Sequence, residues 1–168
     1  QLHLPTFSPD TGFATPTAVS QRLPGQLDAV VVNRNVVASP TTWDVGVTNW
    51  SGLGGYTAAQ ATSQTFSVGT VLALAMPTAQ YVVVREFDVA SLAVGPLTVR
   101  VTHAANESPL HVALLPSTFT TGAFYGVSIP QGVTDPTTGE ARIDFTPSVT
   151  GWYGVVVYRD PSETDGAA

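Results

Sequence analysis

The sequence predicts an all-β protein: an antiparallel β-sandwich, jelly-roll-like, of about ten short strands with little or no helix. Three observations predict it. Thr, Val, Gly, Pro and Ala dominate the composition, with 13 prolines and few Lys, Glu or Met; β-branched residues suit a pleated surface, and proline interrupts it. Apolar and polar residues alternate in run after run. Turn signals recur at roughly the 8–12-residue spacing of sandwiches.

The elements follow in chain order. Residues 1–24 carry prolines at positions 5, 9, 16 and 24 and read as an extended arm. The predicted sandwich domain spans 25–160, and 161–168 reads as a linker or tail. "LDAVVV" and "VVAS" flank Asn33-Arg34-Asn35, a hairpin turn, because Asn tolerates positive φ. "TWDVGVT" puts Trp43, Val45 and Val47 on one face. "QTFSV" comes next, then "TVLALAM", which is apolar on both faces and so reads as a strand covered on both sides. "YVVVREFDV" groups Tyr81, Val83, Phe87 and Val89, with Arg85 among them. "LTVRVTH" turns Leu97, Val99 and Val101 inward, and "LHVALL" does the same with Leu110, Val112 and Leu114. "FYGVSI" and "ARIDF" follow, the latter introduced by the turn "DPTTGE". "GWYGVVVYR" closes the series with Tyr153, Val155 and Val157 inward. The best helical stretch, "TAAQATSQ", allows a turn or two at most.

Charge narrows the function classes. Hydrophobic residues make up 43% of the chain and charged residues 11%, against roughly 25% charged in ordinary soluble domains. Six arginines and no lysine face twelve carboxylates, for a net charge of −6. Without a basic cluster there is no electrostatic footprint for nucleic acid or for anionic membranes. The absence of cysteine excludes disulfides, thiolate metal sites and cysteine nucleophiles. No apolar run nears the roughly 18 residues that span a bilayer as a helix. The chain opens on Gln1 rather than Met, which suits a processed secreted protein or an excised domain.

Candidate chemistry is sparse. The Gly-x-Ser-x-Gly elbow and the His-Glu-x-x-His pair are both absent. His103 and His111 flank the turn "AANESP", where a metal would need Glu107 as a third ligand; two ordinary strand-end histidines are the plainer reading. Glu86 and Asp88 sit two apart on one predicted strand face. Paired carboxylates are what glycoside hydrolysis requires, but these two belong to the outer, solvated face, with Arg85 or Arg100 as partners. With a loop carbonyl they would suit calcium, the one cofactor the residues point to. Asn49-Trp50-Ser51 and Asn106-Glu107-Ser108 match the N-glycan acceptor triplet in predicted loops, a pattern short enough to arise by chance. Trp50, Tyr56 and Trp152 are the aromatics free to stack on sugar rings; capping the ends of the sandwich is the alternative.

From Tyr81 to Arg159 the order of features resembles the bacterial pre-peptidase C-terminal domain. "VREFDV" resembles its opening strand, "LTVRVTHAANESPLHVALL" its central pair, and "IDFTPSVTGWYGVVVYR" its Gly-aromatic step into a final Val-rich strand. The resemblance implies a small sandwich of the kind appended to secreted hydrolases and surface proteins. Of the acidic residues that family often carries near the middle turn, only Glu107 is present.

Together these readings point to a non-catalytic structural or interaction subunit of an extracellular or cell-surface assembly. Its partners would be other protein subunits, in a homo- or hetero-oligomer. A surface poor in charge suits contact with neighbours. A carbohydrate-binding module of a secreted hydrolase and a virion surface or decoration protein are the alternatives.

Overall fold

The structure is a computed structural model that describes residues 63–76, 81–104, 107–119 and 129–159, and the backbone of 2–6, 15–20 and 46–47. The described residues are strand-rich and without α-helix, an all-β arrangement. Compactness divides it into two units: Gln1–Gln60 with Phe119–Val127, and Ala61–Thr118 with Ser128–Ala168.

The first unit holds a three-stranded sheet. Strands β1 (Leu2–Thr6) and β2 (Thr15–Ser20) pair antiparallel, and β1 also pairs with β3 (Gly46–Val47). The stretch read as an extended arm therefore contains two strands that bond to each other. Their register shifts between Leu4 and Pro5, and Pro5 then faces Pro16. Neither proline has an N–H to donate, which is why the ladder breaks there. The hairpin at Asn33–Asn35, Trp43 and most of "FYGVSI" and "TAAQATSQ" lie outside the described residues.

The second unit contains a five-stranded and a two-stranded sheet. The former runs β4 (Gln64–Thr65), β5 (Val82–Val89), β10 (Gly151–Tyr158), β7 (His111–Leu115), β8 (Gln131–Val133). Only the β4–β5 pair is parallel. The latter pairs β6 (Leu97–Thr102) with β9 (Glu140–Phe145), antiparallel over six residue pairs. Alternation predicts the inward set well. Phe87, Val89, Val112, Leu114, Tyr153, Val155 and Val157 from the larger sheet join Ala141 and Ile143 of β9 in one buried cluster. Leu97, Val99, Val101 and Leu110 pack against it. Fully burying a Val, Leu, Ile or Phe of this cluster contributes about 1.5–3 kcal/mol before entropy is counted. Phe87 stacks on Tyr153 at 5.7 Å, and Phe145 tilts against both.

The other face of the central strands is buried too. Ala113, Leu115, Val156 and Tyr158 are each at most 5% exposed. The unbroken "VVVY" reads accordingly as a strand covered on both sides. "TVLALAM", given the same reading, is not one: among the described residues, Thr70–Met76 forms no strand. Gly69, at φ 83, turns the chain after Phe66, with Thr70 N–H donating to the Ser67 carbonyl (3.2 Å). Beyond it Leu74 and Met76 rest on the core while Val71 is 99% exposed. A short 3-10 turn, Leu92–Val94, links β5 to β6.

Candidate functional site

The second unit carries a groove of about 1400 Å³. Strand β6 and the stretch from Phe66 to Met76, which turns at Gly69, both line it. Its floor is the inward face of β5 and β10, through Arg85, Phe87, Val155 and Val157. Phe66 leans on Phe87 at 5.4 Å and anchors the near end of the 66–76 wall. The groove exists because that wall does not join a sheet. Among the described residues, the backbone of Val71–Ala75 finds no hydrogen-bond partner, and β6 pairs only with β9.

Two arginines give the groove its charge. Arg85 shares the inward parity of Val83 and Phe87, so an aliphatic slot of the sheet face is filled by a half-buried guanidinium. It donates Nη1–H to the Val84 carbonyl at 2.9 Å. Arg159, just past β10, donates from Nη2 to the Met76 carbonyl and ties the far end of the 66–76 wall. Neither is ion-paired with a carboxylate among the described residues. Arg100, which also lines the groove, is paired with Glu140 at 2.6 Å. The expectation that Arg85 or Arg100 partners Glu86 or Asp88 is therefore corrected: each points to a different acceptor.

The carboxylates also differ from expectation. Glu86 is 9% exposed rather than solvated, and Ser63 Oγ donates to its Oε1 at 2.8 Å. The parallel β4 strand pairs along that edge of β5, with Thr65 in register with Glu86. Asp88 is exposed. Among the described residues no three His, Asp or Glu side chains converge as metal ligands.

His103 and His111 do not meet. His111 stacks on Tyr158 at 4.9 Å. His103 closes the polar end of the groove: its Nε2 lies 2.7 Å from Thr134 Oγ1, and its Nδ1 lies 3.5 Å from Glu107 Oε2. A carboxylate, an imidazole and a hydroxyl in series is the order of an acyl-transfer triad, but the burial is wrong for one. Thr134 is 2% exposed, and its Oγ1 already accepts the Leu110 N–H at 2.9 Å. Thr134 N–H donates in turn to the Leu110 carbonyl. The hydroxyl therefore clamps the entry of β7 to the end of β8 and presents no nucleophile to solvent.

The outer face of β6 and β9 is a solvated charge ladder. Arg100 and Arg142 stand opposite each other, a destabilising like-charge pair. Each is relieved by a neighbouring acid: Glu140 for Arg100, and Asp144, gripped from Nε and Nη2 at 2.9–3.1 Å, for Arg142. The Arg142 guanidinium, followed by the Thr98 hydroxyl, holds the Asp144 carboxyl below its ordinary value.

Of the predicted sugar platform, Trp152 is half-buried on the face of β10 opposite Tyr153; Trp50 and Tyr56 lie outside the described residues, as do Asn49 and Asn106. The groove was not singled out from the sequence, although Arg85 among inward residues was its visible signal. Comparison of the chain with protein-family models, curated proteins and solved structures gives no match.

Proposed function

We propose that the chain is a non-catalytic structural and interaction subunit of an extracellular or cell-surface assembly, with a jelly-roll-like antiparallel sandwich in its second unit. Two features support the sandwich. Successive strands alternate between the two sheets, with β5 in the larger, β6 in the smaller, β7 and β8 in the larger, β9 in the smaller and β10 in the larger. Tyr153 donates its hydroxyl back to the Val149 carbonyl at 2.8 Å, a contact akin to the tyrosine corner of Greek-key sandwiches. The same alternation fits the resemblance of residues 81–159 to the pre-peptidase C-terminal domain.

The observation that carries the functional reading is the exposed apolar run on one groove wall. Val71 is 99% exposed, with Val68 and Leu72 above 40% beside it. Adjacent apolar side chains facing water on a chain so poor in charge are what a protein contact leaves when its partner is absent. Sedimentation velocity over a concentration series tests this, with Val71→Asp beside wild type. Mixed with its genomic neighbours' products, wild type should sediment as a complex and Val71→Asp should not, at unchanged near-ultraviolet circular dichroism. A wild-type chain that stays monomeric at every concentration, alone and with its genomic neighbours' products, refutes the reading.

A further inference from the structure

We propose that the groove between β6 and residues 71–76 is a strand-accepting site that binds an extended segment of a partner protein carrying a carboxylate among apolar side chains. The proposal rests on the interaction-subunit reading and names the occupant.

Three properties select that occupant. The first is size and shape. At about 1400 Å³ the groove exceeds the roughly 300–1,000 Å³ of small-molecule pockets. Its long wall is the six-residue strand β6, about 20 Å of extended backbone. The second is hydrogen bonding. Among the described residues, β6 has a strand neighbour on one side only, and Val71–Ala75 is strand-like in sequence yet bonded to nothing. An open edge is a template for one more strand. A guest strand on the β6 edge bonds along its whole length and covers Val71 and Leu72 with its apolar side chains. The third is charge. Arg85 and Arg159 face this space, each holding only a backbone carbonyl, and neither has a carboxylate partner among the described residues. Among the described residues, Glu107 is the single carboxylate on the lining, and it lies at the His103 end. The chain is acidic overall, with a net charge of −6, so this lining runs against its own average. A guest carboxylate takes the guanidinium N–H groups in charge-assisted bonds, stronger than those to neutral acceptors.

The test uses immobilised peptides of about eight residues, the length of an ordinary strand. Apolar and polar positions alternate, and each peptide is made with Asp, Asn or Lys at its polar positions. Asp peptides should be retained about tenfold more tightly than their Lys counterparts, the worth of one charge-assisted bond. Arg85→Met with Arg159→Met keeps much of the apolar stems and should erase that preference. Hydrogen exchange on the wild-type chain gives a readout independent of the variants: amides within Thr98–Thr102 should gain protection when the Asp peptide binds. Retention of no peptide, equal retention of Asp and Lys versions, a preference that survives in the double variant, or unchanged β6 amides each overturn the proposal. Self-association that the Asp peptide displaces would put a second copy in the groove and overturn the assignment to a partner. A chain that associates yet binds no peptide loses the groove and keeps the interaction reading. A chain that forms no complex, alone or with its neighbours' products, yet binds Asp peptides keeps the groove and loses the assembly reading.

Discussion

Replacing Gly139 with alanine puts a methyl group where the His103 carbonyl oxygen already stands. The new Cβ would lie 2.2 Å from that oxygen and 3.2 Å from its carbon, both backbone atoms. Gly139 also has φ +67, which costs an L-residue about 1–2 kcal/mol. Relieving the collision means moving the turn away from His103. That breaks the bond from His103 N–H to the Gly139 carbonyl (2.9 Å) and pulls on the bond from Gly139 N–H to the Asp135 carbonyl (2.7 Å). At about 1 kcal/mol net for each bond, the total is about 3–4 kcal/mol. For a chain of this size that lowers the melting temperature by roughly 6–16 °C. Gly69→Ala is the control: its φ is +83, but its Cβ would meet nothing within 4 Å, so only the backbone cost remains, about 1–2 kcal/mol. Urea and thermal unfolding followed by far-ultraviolet circular dichroism compare the two. Equal losses in both variants, or a loss below about 1 kcal/mol for Gly139→Ala, would refute the steric account of this turn.

Three further expectations concern the same unit. Thr134→Val leaves the Leu110 N–H and His103 Nε2 without their shared hydroxyl and should cost about 1–3 kcal/mol in urea unfolding. Tyr153→Phe should cost about 1 kcal/mol, the net worth of its bond to the Val149 carbonyl, with the sheets still packed by near-ultraviolet dichroism. Asp135 is held below its ordinary value of 3.8, first by the Thr138 and then by the Thr137 backbone N–H, and Asp144 is held below 3.8 by Arg142 and Thr98. Both carboxylates bind protons less readily when folded. Their stabilisation is therefore complete above pH 3.8 and is lost as pH falls through the lower folded values. The urea midpoint should fall on acidification through that window, and Asp135→Asn, which keeps a side-chain acceptor for the turn, should flatten the fall. An unchanged acid slope in that variant would remove Asp135 from the account.

Much of the second unit could be read along the chain. The alternation in "LTVRVTH" places Leu97, Val99 and Val101 inward with Thr98, Arg100 and Thr102 exposed, as found in β6. The turn "DPTTGE" is written in Asp135, whose Oδ1 accepts from Thr137 and Thr138, and in the left-handed Gly139. β8 went unread because Gln-Gly-Val carries little strand signal; it is a strand because β7 lies beside it. The site was less legible. Trp50, Tyr56 and Trp152 drew attention as aromatics beside glycine or at a strand end, whereas the groove is a relation between segments far apart in the chain.

What the sequence determined by itself is period and local turn chemistry: which residues share a strand face, and where Asp or Gly bends the chain. Those properties arise between near neighbours, through side-chain alternation and short-range hydrogen bonds. Only the tertiary structure decided who pairs with whom. "TVLALAM" and "GVVVY" are comparably apolar, yet the second became the central strand, bonded to β5 and β7, while the first stayed a groove wall. Burial of Glu86 beside β4 and exposure of Val71 were settled the same way. A β-ladder is closed by residues remote in sequence, so a segment's fitness to be a strand does not say whether an edge will be there to receive it.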